Sequence, residues 1–354
     1  MLKAKRLIFA PGVAGCLLAV SLPALGQTTV IETFENYGAS SGSVLDPSTV
    51  GGSGWSRDGV GASDWDVACC SGVGLFGILI DFSFDSSPTF LAQRRSGGTL
   101  PAASDENTDF AIPTIVEGYV SFDVNPAATG GDDFRFALHD SGSGSNAMVI
   151  VHTESGWPVI NSGDFRVLDG KGGVLAEGTN PNDPDTDNPG PIDRWFKILA
   201  VFHGDGTYDV TVFDIGPVTK KVNNVPTVRP YGDPARGISL RLSGAIMGVP
   251  SVDTFRLLPG STNGGGSSTP TVIDNIIASD SAGSSLELIE LKNGDEISFP
   301  TQAGRVYQAQ FSDDAPTGAW SNVGPLLLGD GTTQAAVASL TGALAGREYR
   351  VLEF

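Results

Sequence analysis

The sequence predicts an all-β protein, a large β-sandwich followed by a small one, and three observations carry that expectation. Apolar residues repeat with period two: in Tyr119-Val120-Ser121-Phe122-Asp123-Val124, the side chains of Val120, Phe122 and Val124 share one face. Glycine (47 residues) and proline (22 residues) are too frequent for long helices but suit many strands joined by tight turns. With 40% hydrophobic and 17% charged residues the chain belongs with globular proteins, and 354 residues are enough for one ordinary sandwich plus a small second domain.

Residues 1–26 read as a secretory signal. Lys3, Lys5 and Arg6 are its basic region, Leu7 to Leu22 its apolar run, and Ala24-Leu25-Gly26 a small-x-small cleavage site. Val13-Ala14-Gly15-Cys16 also fits a bacterial lipoprotein pattern with Cys16 acylated. The apolar run continues past that cysteine through Leu17-Leu18-Ala19-Val20, which favours the cleaved signal. No later segment has the roughly 20 continuous apolar residues of a membrane span.

Further strands follow in order. Phe134, Phe136 and Leu138 alternate with Arg135, Ala137 and His139, and a Gly/Ser turn from Ser141 to Ser145 leads to Met148-Val149-Ile150-Val151, predicting a hairpin. Trp195 to Phe202 and Tyr208 to Phe213 form the clearest hairpin, with Asp205-Gly206 at its turn. Ile238 to Leu242 and Asp253 to Leu257 are also strands. Two segments are loops: the long polar Gly178 to Asp193 and the low-complexity Pro259 to Pro270.

The strand-rich region opens with Glu32-Thr33-Phe34-Glu35-Asn36-Tyr37 and closes with Val272-Ile273-Asp274-Asn275-Ile276-Ile277-Ala278. Between them lie W-x-K-I-x-x-V at Trp195 to Val201 and G-T-Y-D-V-T-V-F at Gly206 to Phe213. Together these resemble the concanavalin A-like (laminin G-like) jelly-roll domains of secreted bacterial proteins. The resemblance covers roughly residues 28–279. It implies that the first and last strands lie side by side, and that the ligand class is carbohydrate. The expected organisation is a signal peptide (1–26), a concanavalin A-like sandwich (27–279), a linker (280–285) and a C-terminal module (286–354). The last part runs Val306-Tyr307-Gln308-Ala309-Gln310-Phe311-Ser312-Asp313-Asp314, then Trp320, then Arg347-Glu348-Tyr349-Arg350-Val351. It resembles a small β-sandwich module of verrucomicrobial-type secreted proteins, which implies an accessory or surface-association role.

A formal charge of −19 repels nucleic acid and anionic lipid, and nucleic acid is excluded as a partner. Laminarinase-type relatives in the jelly-roll family need two carboxylates on one strand, in a pattern like E-x-D-x-E, so that alternate residues aim into one cleft. That pattern is absent; Glu32/Glu35 and Glu287/Glu290 have other spacings. For glycan binding, flat aromatics stack on sugar faces while polar groups bond hydroxyls. Trp55 and Trp65, set among Gly, Ser and Asp, and Trp157, in a turn, are the candidates; Trp195 reads as core. Tyr119, Arg135 and His139 are placed on neighbouring strands of one sheet face, with His139 and His152 facing each other across their hairpin. Asp183, Asp185 and Asp187 have the spacing of the first ligands of a calcium loop, with Asp193 as a further ligand. Adjacent Cys69 and Cys70 make neither a disulfide framework nor a metal site.

The expected function is that of a secreted or cell-surface, non-catalytic protein that binds an extracellular polysaccharide or cell-surface glycan, with calcium as its cofactor. Two alternatives stand beside it: a polysaccharide-degrading enzyme with an unfamiliar site on the concave sheet, and a structural or adhesive envelope protein.

Overall fold

A computed structural model describes residues 28–34, 37, 44–45, 50, 52–57, 65–69, 89–93, 107–125, 134–154, 163–179, 195–216, 219–222, 225–228, 238–258, 272–281, 284–290, 297–302, 304–313, 320–329, 331–337 and 348–354. The chain divides into two compact units, one spanning Thr28–Ala282 and one containing Gly283–Phe354.

The first unit begins with β1 (Thr29–Glu32), β2 (Val44–Leu45), β3 (Trp55–Arg57), β4 (Trp65–Cys69) and β5 (Thr89–Gln93). It continues with β6 (Thr108–Ile115), β7 (Gly118–Asn125), β8 (Phe134–Asp140), β9 (Ser145–Glu154), β10 (Gly163–Asp169) and β11 (Val174–Thr179). The clear hairpin follows as β12 (Trp195–Phe202) and β13 (Thr207–Gly216). A short pair, β14 (Thr219–Val222) and β15 (Val225–Val228), precedes β16 (Ile238–Ile246), β17 (Val252–Leu257) and β18 (Val272–Ser279).

Apart from the separate β14–β15 ribbon, these strands build two antiparallel sheets. The larger, nine-stranded sheet runs β16-β13-β12-β7-β18-β5-β4-β2, with β1 also on β18; the seven-stranded sheet runs β11-β10-β9-β8-β17-β6-β3. First and last strands lie side by side, Thr29 opposite Ser279 and Glu32 opposite Ile276. The ETFENY run is where β1 ends: beyond Glu32 the chain turns, and Phe34 takes a left-handed φ of 61°. The β12–β13 turn is closed by the His203 amide donating to the Thr207 carbonyl at 2.8 Å, with Asp205-Gly206 at its tip and Gly206 at φ 82°.

Alternation puts one face of each sheet into a shared core. Phe122 of the larger sheet meets Phe136 and Phe255 of the smaller at ring-centroid distances of 4.6 and 5.1 Å, and Phe165 meets Phe196 at 4.7 Å. Interlocked aromatics of this kind contribute through burial and through edge-to-face geometry. This arrangement is a jelly-roll β-sandwich. The opposite face of the larger sheet is also buried: Tyr119, Ser121, Asp123, Lys197, Leu199, Thr211 and Phe213 are all shielded from solvent.

Gly118 holds the start of β7 against the end of β18. Its φ is 152°, and a Cβ there would sit 2.1 Å from the Ser279 carbonyl oxygen. That oxygen is main chain and cannot swing aside. Gly118→Ala is expected to lower stability by about 1–3 kcal/mol or more, read as an earlier denaturant midpoint with an unchanged slope.

The second unit contains β19 (Ser284–Glu290), β20 (Ile297–Pro300), β21 (Val306–Ser312), β22 (Ser321–Asn322), β23 (Leu327–Leu328), β24 (Thr333–Val337) and β25 (Glu348–Glu353). A five-stranded sheet orders β19-β25-β21-β22 with β23 also on β21, and β20 pairs β24. Its core is Ile297, Phe299, Tyr307, Ala309, Tyr349 and Val351. Arg350 lies over the Trp320 ring at 4.2 Å, a cation–π contact. Among the described residues no helix is long and apolar enough to cross a membrane.

Candidate functional site

The outer face of the seven-stranded sheet carries a polar constellation, exposed at Arg166 and Glu177 and largely shielded at Arg256, Asp109 and His139. Its strands alternate: Phe136 and Leu138, Phe165 and Val167, Phe255 and Leu257 enter the core. Their neighbours Arg135, Ala137 and His139, Arg166 and Leu168, and Thr254 and Arg256 therefore face outward. Strand register arranges these side chains in rows. One row runs Glu177–Arg166–Val151–Arg135; the next runs Val149–Ala137–Arg256–Asp109–Ser56; the third runs Asn146–His139–Thr254–Ala111.

Polar partners within the rows are fixed to one another. Arg256 grips Asp109 with two parallel bonds, Nε to Oδ1 and Nη2 to Oδ2, each 2.8 Å. Arg166 Nε lies 3.1 Å from Glu177 Oε1. The His139 ring, 5% exposed, has Nδ1 2.9 Å from Asn146 Oδ1. An amide oxygen only accepts, so Nδ1 is the donor in this pair. At the end of this face Asp253 accepts the Ser141 amide at 2.9 Å, the Ser141 hydroxyl, and the Thr254 hydroxyl at 2.9 Å. Burial alone would raise the Asp253 carboxyl; these hydrogen bonds outweigh it and hold it below the ordinary carboxylate range.

Between the pairs runs an apolar strip of Val149, Val151, Leu168 and Leu175, with Leu175 exposed, Val149 and Leu168 half-buried and Val151 buried. A face with one bidentate guanidinium–carboxylate fork and one exposed ion pair offers donors and acceptors beside an apolar surface. That pattern matches a molecule whose hydroxyls alternate with C–H faces.

The expected site residues separate in the fold. Arg135 and His139 do share this face, but Tyr119 does not. It sits on β7 of the other sheet and is buried on that sheet's outer side. His139 pairs with Asn146, and His152 with Phe134, so the two histidines are not opposite each other; a register shift in the β8–β9 ladder separates them further. Trp55, expected in an exposed loop, is a strand residue only 5% exposed. Its ring stacks on Phe110 at 4.8 Å, and its Nε1 donates to Glu32 Oε2 at 3.4 Å. The same oxygen accepts the Tyr37 hydroxyl at 2.8 Å, and Glu32 Oε1 accepts the Phe34 amide at 2.7 Å. Burial, then the bond to Glu32, pushes the Tyr37 hydroxyl far above its usual range. Trp55 therefore anchors a junction between β1 and β3, and its ring faces are taken by protein. Trp65 begins β4, with its side chain outside the described residues; Trp157 and Asp183, Asp185, Asp187 and Asp193 lie outside them altogether.

His203, at the β12–β13 tip, makes a second cluster. Its Nε2 is 3.2 Å from Asp209 Oδ2, and Asp209 Oδ1 accepts the Gly244 amide at 2.7 Å. The bond to Asp209 raises the His203 pKa against the opposing effect of burial. Among the described residues no three or more His, Cys, Asp and Glu side chains converge to hold a metal ion.

Arg256, Asp109, Arg166, Glu177 and Asn146 escaped sequence reasoning. Their strand positions mark them as outward-facing, but Arg256 and Asp109 are 147 residues apart, and no local pattern joins them.

No family model and no curated protein matches the chain. Solved structures do match in outline. Lectin I-B4 from Griffonia simplicifolia, in its metal-free form, is similar at 10% identity and a TM-score of 0.35, over 70% of this chain and 98% of that one. A Bacillus licheniformis β-glucanase is similar at 11% identity and a TM-score of 0.33, over 68% and 98%. A Bacillus subtilis protein of unknown function with a galectin-like fold is similar at 10% and 0.30, over 68% and 96%. Similarity at this level assigns neither ligand nor activity.

Proposed function

We propose that the protein is a secreted, non-catalytic glycan-binding protein that docks an extracellular polysaccharide on the outer face of its seven-stranded sheet. The observation that carries this reading is the in-register set of fixed polar pairs, Arg256–Asp109, Arg166–Glu177 and His139–Asn146, around the strip of Val149, Val151, Leu168 and Leu175. Sugars present adjacent hydroxyls that bond such polar pairs while their C–H faces cover apolar side chains. Secretion rests on residues 1–26. Calcium, held by Asp183, Asp185, Asp187 and Asp193, would brace the polar loop near residue 190, and the second unit would serve as an accessory module.

The test is depletion of the protein from solution by a panel of insoluble and gelled polysaccharides, with calcium and with chelator. At least one polysaccharide is expected to deplete the native protein. The Arg166→Ala, Arg256→Ala double variant should bind that polysaccharide roughly 10- to 100-fold more weakly, since a hydrogen bond to a charged group contributes about 1.5–3 kcal/mol. Chelator acts separately, through the loop. Depletion by nothing in the panel, or undiminished depletion of the double variant, would sink the reading.

A further inference from the structure

The buried outer face of the larger sheet holds a charged row that a lectin-like surface does not use. Four strands contribute one residue each, in register: Phe213 on β13, Lys197 on β12, Asp123 on β7 and Asp274 on β18. Lys197 Nζ lies 2.8 Å from Asp123 Oδ1, and the two side chains are 3% and 2% exposed. The second oxygen of Asp123 accepts the Asn275 amide, Nδ2 to Oδ2, at 3.0 Å. Asn275 reaches it from a ladder irregularity, with a left-handed φ of 52°, and its main-chain N–H donates to Asp274 Oδ1 at 2.7 Å. Asp274 is itself buried. The neighbouring row on the same face is Thr211, Leu199, Ser121 and Ile277, all shielded from water.

We propose that Lys197 and Asp123 react with each other to form an intramolecular amide cross-link between β12 and β7. A proton passed from the Lys197 ammonium to Asp123 turns the ion pair into an amine facing a carboxylic acid, removing two charges from surroundings that solvate them poorly. The amine lone pair attacks Asp123 Cγ. Oδ2 takes the negative charge of the tetrahedral intermediate, and the Asn275 amide is already placed to stabilise it. Asp274 takes a proton from the attacking nitrogen and delivers it to Oδ1, which leaves as water. The sum is one ammonium and one carboxylate giving one secondary amide and one water, with no oxidant or co-reactant.

Held geometry makes this feasible. In bulk water an amine and a carboxylate remain ions, but groups fixed in contact react as if at about 10⁵–10⁸ M. That far exceeds the concentration of water, and the two side chains are shielded from bulk solvent. As a plain ion pair the same residues gain little over an apolar pair of equal size. Direct opposition on adjacent strands, a flanking amide and a second carboxylate together are what the cross-link requires.

The experiment is the intact mass of the full secreted chain, measured under denaturing, reducing conditions with its N-terminus identified. The expected mass is one water below that of the sequence. A tryptic digest should contain a branched peptide joining the Lys197 and Asp123 segments. Lys197→Arg should restore the full sequence mass. Asp123→Asn, if it reacts, should lose ammonia in place of water. Asp274→Ala should slow cross-linking roughly 100-fold, the scale of a lost proton carrier. An unshifted mass with no branched peptide in the native protein overturns the proposal without recourse to any variant. Unchanged cross-linking in Asp274→Ala overturns the role given to Asp274.

Discussion

Lys197→Met is expected to lower the stability of the first unit by roughly 3–5 kcal/mol, because it removes the charge partner of a carboxylate shielded from solvent. Asn275 remains as a partner but brings no charge. Whole domains are stable by only about 5–15 kcal/mol, so the loss is a large share of the total. The informative comparison is the double variant Lys197→Met, Asp123→Leu, followed by chemical denaturation. If the native pair is ionic, the double variant should recover most of the loss, since an apolar pair of similar volume replaces it. If the native pair is an amide, the double variant should stay well below the native protein, because a covalent tie restricting the unfolded chain is gone.

Trp55→Ala is expected to cost about 3–5 kcal/mol, the range for emptying a large aromatic site in a core. The loss has two sources. Phe110 and Phe34, 4.8 and 6.0 Å from the indole by ring centroids, lose their packing partner. Glu32 loses one of the donors that hold its buried carboxylate, while Tyr37 and the Phe34 amide remain. Denaturant titration should show the shift. Trp55→Phe should recover part of it, since ring packing returns and the N–H does not. A Trp55→Ala protein of native stability would show that the indole does not anchor the β1–β3 junction.

These two residues also show where the sequence was legible. Period-two alternation identified β7, β8, β12 and β13, and Asp205-Gly206 marked the hairpin, because both signals are local. The pairing of β1 with β18 was legible through the resemblance of two distant motifs. Faces were harder. Alternation tells which residues of a strand point together, not which sheet receives the strand. Tyr119, Arg135 and His139 were grouped on that incomplete ground; β7 joined one sheet and β8 the other. Trp55 was misread because its Gly, Ser and Asp neighbours suggest exposure, while its burial comes from Phe110 and Glu32, far along the chain. Lys197 and Asp123 are each the one charge within an apolar strand. Only the β7–β12 register makes them partners.

The meeting of β1 and β18 has a mechanical consequence. The Thr28 amide donates to Asp280 Oδ1 at 2.7 Å, and the Asp280 amide donates back to the Thr28 carbonyl at 3.2 Å, so the unit's two ends leave from one corner. Tension between those ends loads the antiparallel ladder at its terminus and opens its hydrogen bonds one after another, like a zipper. Shearing, which would strain the whole ladder at once, is not the geometry here. The unit yields first at β1, by peeling, and the next strand to take the load is β18, which lies beside β7.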